Sequence, residues 1–236
     1  MAISDVRLSV LDIVNEVERL LGVNTSSTLT STKLTRVLLR FLNEVIEECA
    51  DAGDWQELYA ETTVTMSSSV EEFTVSVSGS ILVQRIEEIV YAGVSSRPAN
   101  SPLFVRSMED IRRLQRGRSF GEPRQFAIFG VNQSTGNPRF RTSPIPASAQ
   151  DNATFRIAYR EKPILYTTST AHSSALPVFP GNLLVRGVYA KALLEENGGN
   201  PSPEYVEAQR LYLTTRSESL NRFNADTGTD VYLMPE

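Results

Sequence analysis

The sequence holds one cysteine, one histidine and one tryptophan among 236 residues, and each scarcity removes a class of chemistry. A lone cysteine, Cys49, cannot close an intramolecular disulfide or build a cysteine-based zinc cluster. A lone histidine, His172, would have to serve every triad, histidine metal pair or proton shuttle by itself. It stands beside Ser169, Ser173 and Ser174 with no Gly-x-Ser-x-Gly elbow anywhere, and it reads as a solvated loop histidine. No window approaches the roughly 18 consecutive apolar residues of a membrane span. Met1 leads into Ser4, Asp5 and Arg7 without a signal-type apolar core, so a chain made and kept in the cytoplasm, with no membrane partner, is expected. Asp-x-Asp calcium loops, phosphate-binding glycine loops and GxGxxG after a strand are also absent. Catalysis therefore has no foothold, and no enzyme activity, cofactor or metal is expected.

What is present is an ordinary folding chain, 41% hydrophobic and 22% charged, long enough for one core or for a core with an inserted module. Its net charge of −5 argues against broad adhesion to nucleic acid. The same charge suits a surface that DNA slides past without sticking.

Val6, Val10, Ile13, Val14, Val17, Leu20 and Leu21 follow Ser4 at three-and-four spacing, which predicts a helix over 5–21 with Ser4 as its cap. A Ser- and Thr-rich loop, 24–32, leads to the stripe Leu34, Val37, Leu38, Phe41, Leu42, Val45 and Cys49, a second helix over 33–51. From 60 to 160 the period changes to alternation, with strands expected around Thr62–Met66, Phe73–Val77, Leu82–Tyr91, Gln125–Phe129 and Phe155–Tyr159. One short helix, Met108–Arg116 with Ser107 as cap, interrupts that block. A Thr-, Ser- and Pro-rich crossing segment, 163–180, precedes two further helices: Leu183, Leu184, Val188, Ala192 and Leu193 mark one, and Tyr205, Ala208, Leu211 and Tyr212 the other. The expected fold is α+β: a four-helix bundle of 1–55 and 181–220, an inserted mainly β module of 56–180, and an extended tail, 221–236.

Adjacent acids recur at Glu47–Glu48, Glu71–Glu72, Glu87–Glu88 and Glu195–Glu196, but neighbouring positions point apart, so they read as solvated faces and not as a glycosidase pair. The densest charge feature runs from Arg106 to Arg124, six arginines against Glu109, Asp110 and Glu122. Arg112, Arg113, Arg116 and Arg118 are its candidates for contact with a neighbouring subunit or with DNA phosphate, while a plain soluble helix and loop is an equal alternative. Cys49 reads as packing and Trp55 as a plug where the helix pair meets the β module.

The stretch Leu38–Trp55, together with GEPRQFAIFG at 121–130, RIAYREKPILY at 156–166 and LPVFPGNLLVRGVYAKALLEE at 176–196, resembles phage head-to-tail adaptor proteins of the tail tubular protein A-like and head-completion kind. That resemblance implies a virion structural protein at the neck between head and tail, in a ring that is commonly twelvefold. Its implied partners are the portal protein, a downstream tail or nozzle protein, further copies of itself, and genomic DNA passing without sequence recognition. The apolar end Val231, Tyr232, Leu233 and Met234 follows a hydrated stretch from Asn224 to Asp230 and is expected to dock on the portal. The competing reading is a tail-associated β module that binds a receptor or carbohydrate, which would leave four helices without a purpose.

Overall fold

A computed structural model describes residues 7–77, 82–94 and 96–226, with side chains to residue 221. The chain divides into two compact units: residues 1–56 with 163–236, which is helical, and residues 57–162, which is mainly β.

In the helical unit, α1 (Val10–Leu20) begins at Ser9, whose hydroxyl accepts the Asp12 N–H at 3.2 Å while the Asp12 carboxylate accepts the Ser9 N–H at 3.3 Å. This reciprocal capping box, and not Ser4, sets the start. Val6 continues the apolar spacing of Val10, so periodicity alone places the end too early. The second helix, α2 (Lys33–Ala52), is capped by Thr32, which accepts the Thr35 N–H at 3.0 Å. After the β unit come the one-turn α4 (Thr170–Ser173), α5 (Gly181–Glu196) and α6 (Pro203–Asp226).

The expected four-helix bundle is not the organising core. Among the described residues there are six helices, α3 (Met108–Gln115) lying in the β unit, and the helical unit is built around α5. Leu183, Leu184, Val185, Gly187, Val188, Ala190, Ala192 and Leu193 are all buried, which takes in most of the circumference of α5 and leaves Asn182 and Arg186 exposed before its last turn. A bundle helix offers one stripe to a shared centre, whereas α5 is wrapped by α1, α2 and α6. Gly187 marks the tightest point: a Cβ there would lie 2.7 Å from Val45 Cγ1 and 2.9 Å from Tyr212 Cε2, so α2 and α6 both press on it. The crossing segment groups with the helical unit, since Asn43 on α2 receives the Tyr166 N–H and donates to the Tyr166 carbonyl, each at 2.8 Å. The tail also begins later than its composition suggests, because α6 runs through 221–226; residues 227–236 lie outside the described residues.

The β unit holds β1 (Tyr59–Thr65), β2 (Glu72–Thr74), β3 (Val83–Val94), β4 (Arg97–Pro102), β5 (Phe104–Val105), β6 (Phe120–Gly121), β7 (Gln125–Val131), β8 (Pro138–Ser143), β9 (Ile145–Pro146) and β10 (Thr154–Glu161), with α3 (Met108–Gln115) between β5 and β6. They form a four-stranded antiparallel sheet ordered β1-β10-β3-β4, a second sheet ordered β2-β8-β7-β5, and a small parallel pair of β6 with β9. Phe73 and Phe140 from the second sheet meet Phe155 from the first, with Phe140 and Phe155 edge to face at 5.6 Å, and Phe126 packs edge-on to Phe140. These rings make the core between the sheets. Met66, Ile89 and Ile157 fill it out.

Candidate assembly surfaces

The arginine segment has a definite seat in the β unit. Ser107 caps α3 by accepting the Asp110 N–H at 3.1 Å, and the helix buries Ile111 and Gln115. Gln115 Nε2 donates to the Thr142 carbonyl of β8 at 2.9 Å, which fixes the roll of α3. With that face inward, Arg112 and Arg116, four residues apart, share one exposed flank. Arg113 lies on the far side and pairs with Asp110 at 3.3 Å. Arg118, also exposed, turns the chain away with φ +42°, in the left-handed region. Arg106, Arg112, Arg116, Arg118 and Arg124 are all exposed and form no ion pair among the described residues.

The same end of the unit carries large exposed apolar groups that sequence reasoning missed. Phe104 and Val105, consecutive on the edge strand β5, are 68% and 67% exposed, and Phe120 on β6 is 53% exposed. Backbone pairing brings these groups together. Phe104 N donates to the Arg124 carbonyl, Arg124 N to the Ser143 carbonyl, and Phe120 stands opposite Ile145, two residues beyond Ser143. Gln115 reaches the neighbouring Thr142, so arginines and exposed rings converge over residues 142–145. The available signal was the pair Phe104–Val105, too short to show a period.

The helical unit carries the opposite character. It holds 17 Asp and Glu against 10 Lys and Arg, net −7, while the β unit holds 11 against 13, net +2, which sums to the chain's −5. Between α1, α2 and α5 lies an apolar groove of about 290 Å³, lined by Leu21, Val23, Leu34, Val37, Phe41 and Ala192, with Glu195 and Glu196 as its charged groups. These two carboxylates occupy the last turn of α5, the negative end of the helix dipole, and that turn holds no basic side chain. Glu195 is 3.8 Å from Arg40, and Glu196 has no ion pair among the described residues. A second groove of about 470 Å³ between α5 and α6 mixes Arg186 with Glu204 and Glu207, and Glu207 is held by Arg210.

Several side chains singled out by the sequence are structural. Trp55 is fully buried; its Nε1 donates to the Cys49 carbonyl at 2.6 Å and its ring meets Phe179 edge-on at 4.9 Å, both within the helical unit. Burial pushes the Cys49 thiol up to about 11, and it lies 3.6 Å from the Tyr212 hydroxyl. His172 is half-buried on α4, not free in a loop: its Nδ1 accepts the Thr167 N–H at 2.8 Å and its ring packs edge-on to Tyr166. The acid pairs are split among basic partners. Lys191 lies 2.7 Å from Glu48 and 3.2 Å from Glu44, Glu72 pairs with Arg141, and Glu87 with Arg85. Among the described residues no group of three or more His, Cys, Asp and Glu is placed to hold a metal ion, and no helix is long and apolar enough to cross a membrane. Val231, Tyr232, Leu233 and Met234 lie outside the described residues.

No curated protein matches the chain. Residues 8–234, which span both units, match the SU10 adaptor protein family. The chain therefore belongs to this family of phage head-to-tail adaptors and is a structural component of a phage particle.

Proposed function

We propose that the chain is the subunit of a closed ring, twelvefold in copy number, that joins the portal to the tail and forms part of the channel for genomic DNA. The observation that carries this reading is the family match across 8–234, which embraces both the helical and the β unit. The acidic balance of the helical unit supports a channel role, because carboxylates repel phosphate and leave DNA free to slide. Arg112, Arg113, Arg116 and Arg118 would then serve subunit contacts in preference to DNA. The apolar end Val231–Met234 would be the portal-docking element, since burying each such side chain is worth roughly 1.5–3 kcal/mol and a ring multiplies the gain by avidity.

The test is the mass of the assembly formed when the full chain is added to portal-bearing heads. A closed ring of twelve copies is expected. A single copy per head, or copies bound away from the portal vertex, would overturn the reading.

A further inference from the structure

The β unit presents an apolar projection beside arginines that form no ion pair among the described residues, and the helical unit presents an apolar groove edged by Glu196 and by Glu195, which lies 3.8 Å from Arg40. Each is uncovered by its own unit. Phe104 and Val105 stand two-thirds exposed, and the groove of about 290 Å³ is open to solvent with Glu196 unpaired among the described residues. Leaving such groups wet is costly, and matching them orders side chains but little backbone, because β5, α3 and the three groove helices are already held by their own units.

We propose that these two surfaces fit each other in trans: the Phe104–Val105 edge of one copy enters the α1–α2–α5 groove of the next, with Arg112 and Arg116 facing Glu195 and Glu196. The occupant is a second copy of this chain, which is the partner that a ring provides, and the inference rests on the ring reading above. Three observations select it. First, the groove takes apolar side chains and has only carboxylates as charged groups, so it accepts an apolar edge flanked by cations and rejects one flanked by acids. Second, Glu195 and Glu196 stand in the last turn of α5, at the negative end of its dipole, which favours an arriving guanidinium on the carboxylates. Third, two different patches on one chain make a head-to-tail contact, which closes into a ring when the rotation between copies allows. The groove between α5 and α6 is a weaker receptor because it already contains Arg186 and its Glu207 is satisfied by Arg210. Duplex DNA is a weaker partner for the patch because phosphate has no use for exposed Phe104, Val105 and Phe120, whereas aromatic and arginine side chains together are the usual composition of a protein interface centre.

The experiment is a charge exchange on the full chain, read by sedimentation velocity and by copies bound per portal-bearing head, at about 50 mM salt, where exposed charge pairs act most strongly. R112E/R116E faces the acidic groove with acid, and E195K/E196K faces the arginine patch with lysine. Each should weaken association about tenfold while leaving the melting temperature within about 2 °C of the parent, since all four side chains are exposed. An equimolar mixture of the two should regain association, because each altered surface then meets a partner of opposite sign. F104S should weaken association at high salt as well as low, because its share is apolar. If the parent assembles and the charge variants assemble equally well, or their mixture fails to recover, this contact is wrong while the ring stands. If the parent stays monomeric both alone and on heads, the ring reading falls and takes the contact with it. If R112E/R116E abolishes retention on duplex DNA but not self-association, the patch is a DNA contact and the proposal is overturned.

Discussion

The Glu18 carboxylate, 1% exposed on α1, accepts the Thr35 hydroxyl at 2.9 Å from the first turn of α2. The same carboxylate accepts the Ser26 N–H at 2.7 Å and the Ser26 hydroxyl at 2.9 Å, so one buried acid ties the connecting loop to both helices. All of its bonds come from uncharged donors, and together they replace the water it gave up.

Glu18→Ala should therefore cost about 2–3 kcal/mol, because it removes the carboxylate that accepts three bonds and opens a gap, leaving Ser26 and Thr35 only their bonds to Asn15, Thr32 and each other. Thr35→Val should cost about 1–2 kcal/mol, since one donor is lost and the shape is kept. Urea unfolding of both variants checks the order. A Glu18→Ala midpoint equal to that of the parent would show the network to be idle.

Gly187 gives a prediction whose sign is opposite to ordinary helix propensity. In an exposed helix Gly→Ala stabilises by about 1 kcal/mol. Here the added Cβ would press on Val45 and Tyr212 at 2.7 and 2.9 Å, and neither is the free end of a flexible chain. Gly187→Ala should destabilise by about 1–3 kcal/mol, measured by thermal or urea unfolding.

The pH dependence near Cys49 follows from its burial. Desolvation raises the thiol from 9.0 to about 11, so the folded state favours the protonated form. That stability is fully present below the unfolded value and is lost as pH rises from about 9 through about 11. Tyr212 is raised by burial too, and acts in the same direction. Unfolding free energy measured between pH 8 and pH 11, a span of about three units, should fall more steeply in the parent than in Cys49→Ala. The thiol should also be inert to alkylation at neutral pH until the chain unfolds.

How much of this was legible depends on whether a residue's partner is local. The α2 stripe from Leu38 to Cys49 read directly as helix, because each apolar side chain faces the same neighbour and repeats at 3.6 residues. The strands around Thr62, Ile89, Phe126 and Phe155 read well too, whereas the run Phe73–Val77 yields only the three-residue β2, Glu72–Thr74. Strand β8 did not, because its alternation is carried by Arg139 and Arg141, which look like surface charge. Both guanidinium groups lie over the Phe129 ring, at 4.7 and 5.1 Å, and Arg141 pairs with Glu72 across the sheet. Nor could α5 be recognised as a hub: its stripe of Leu183, Leu184 and Val188 reads as one amphipathic face, and only the packing shows that Val185 and Ala190 are covered as well. The arginines were visible as a dense cluster, but the apolar edge beside them and the acidic groove depend on contacts between distant segments.

The tail gives a prediction about docking separated from folding. Deleting residues 227–236 removes Val231, Tyr232, Leu233 and Met234 but spares all of α6. The truncated chain should keep its melting temperature within about 2 °C and lose binding to portal-bearing heads. A clear drop in melting temperature would mean that the apolar end packs on its own unit.

The most direct measurement of the account is head-to-tail joining. DNA-filled heads made without this chain are mixed with separately made tails, with and without the purified full-length protein, and joined particles are counted by electron microscopy. The account predicts that joining requires the protein and that it lies between the portal and the tail. Joining at the same level without it, or its appearance at the far end of the tail where a receptor-binding module would sit, would contradict the adaptor reading.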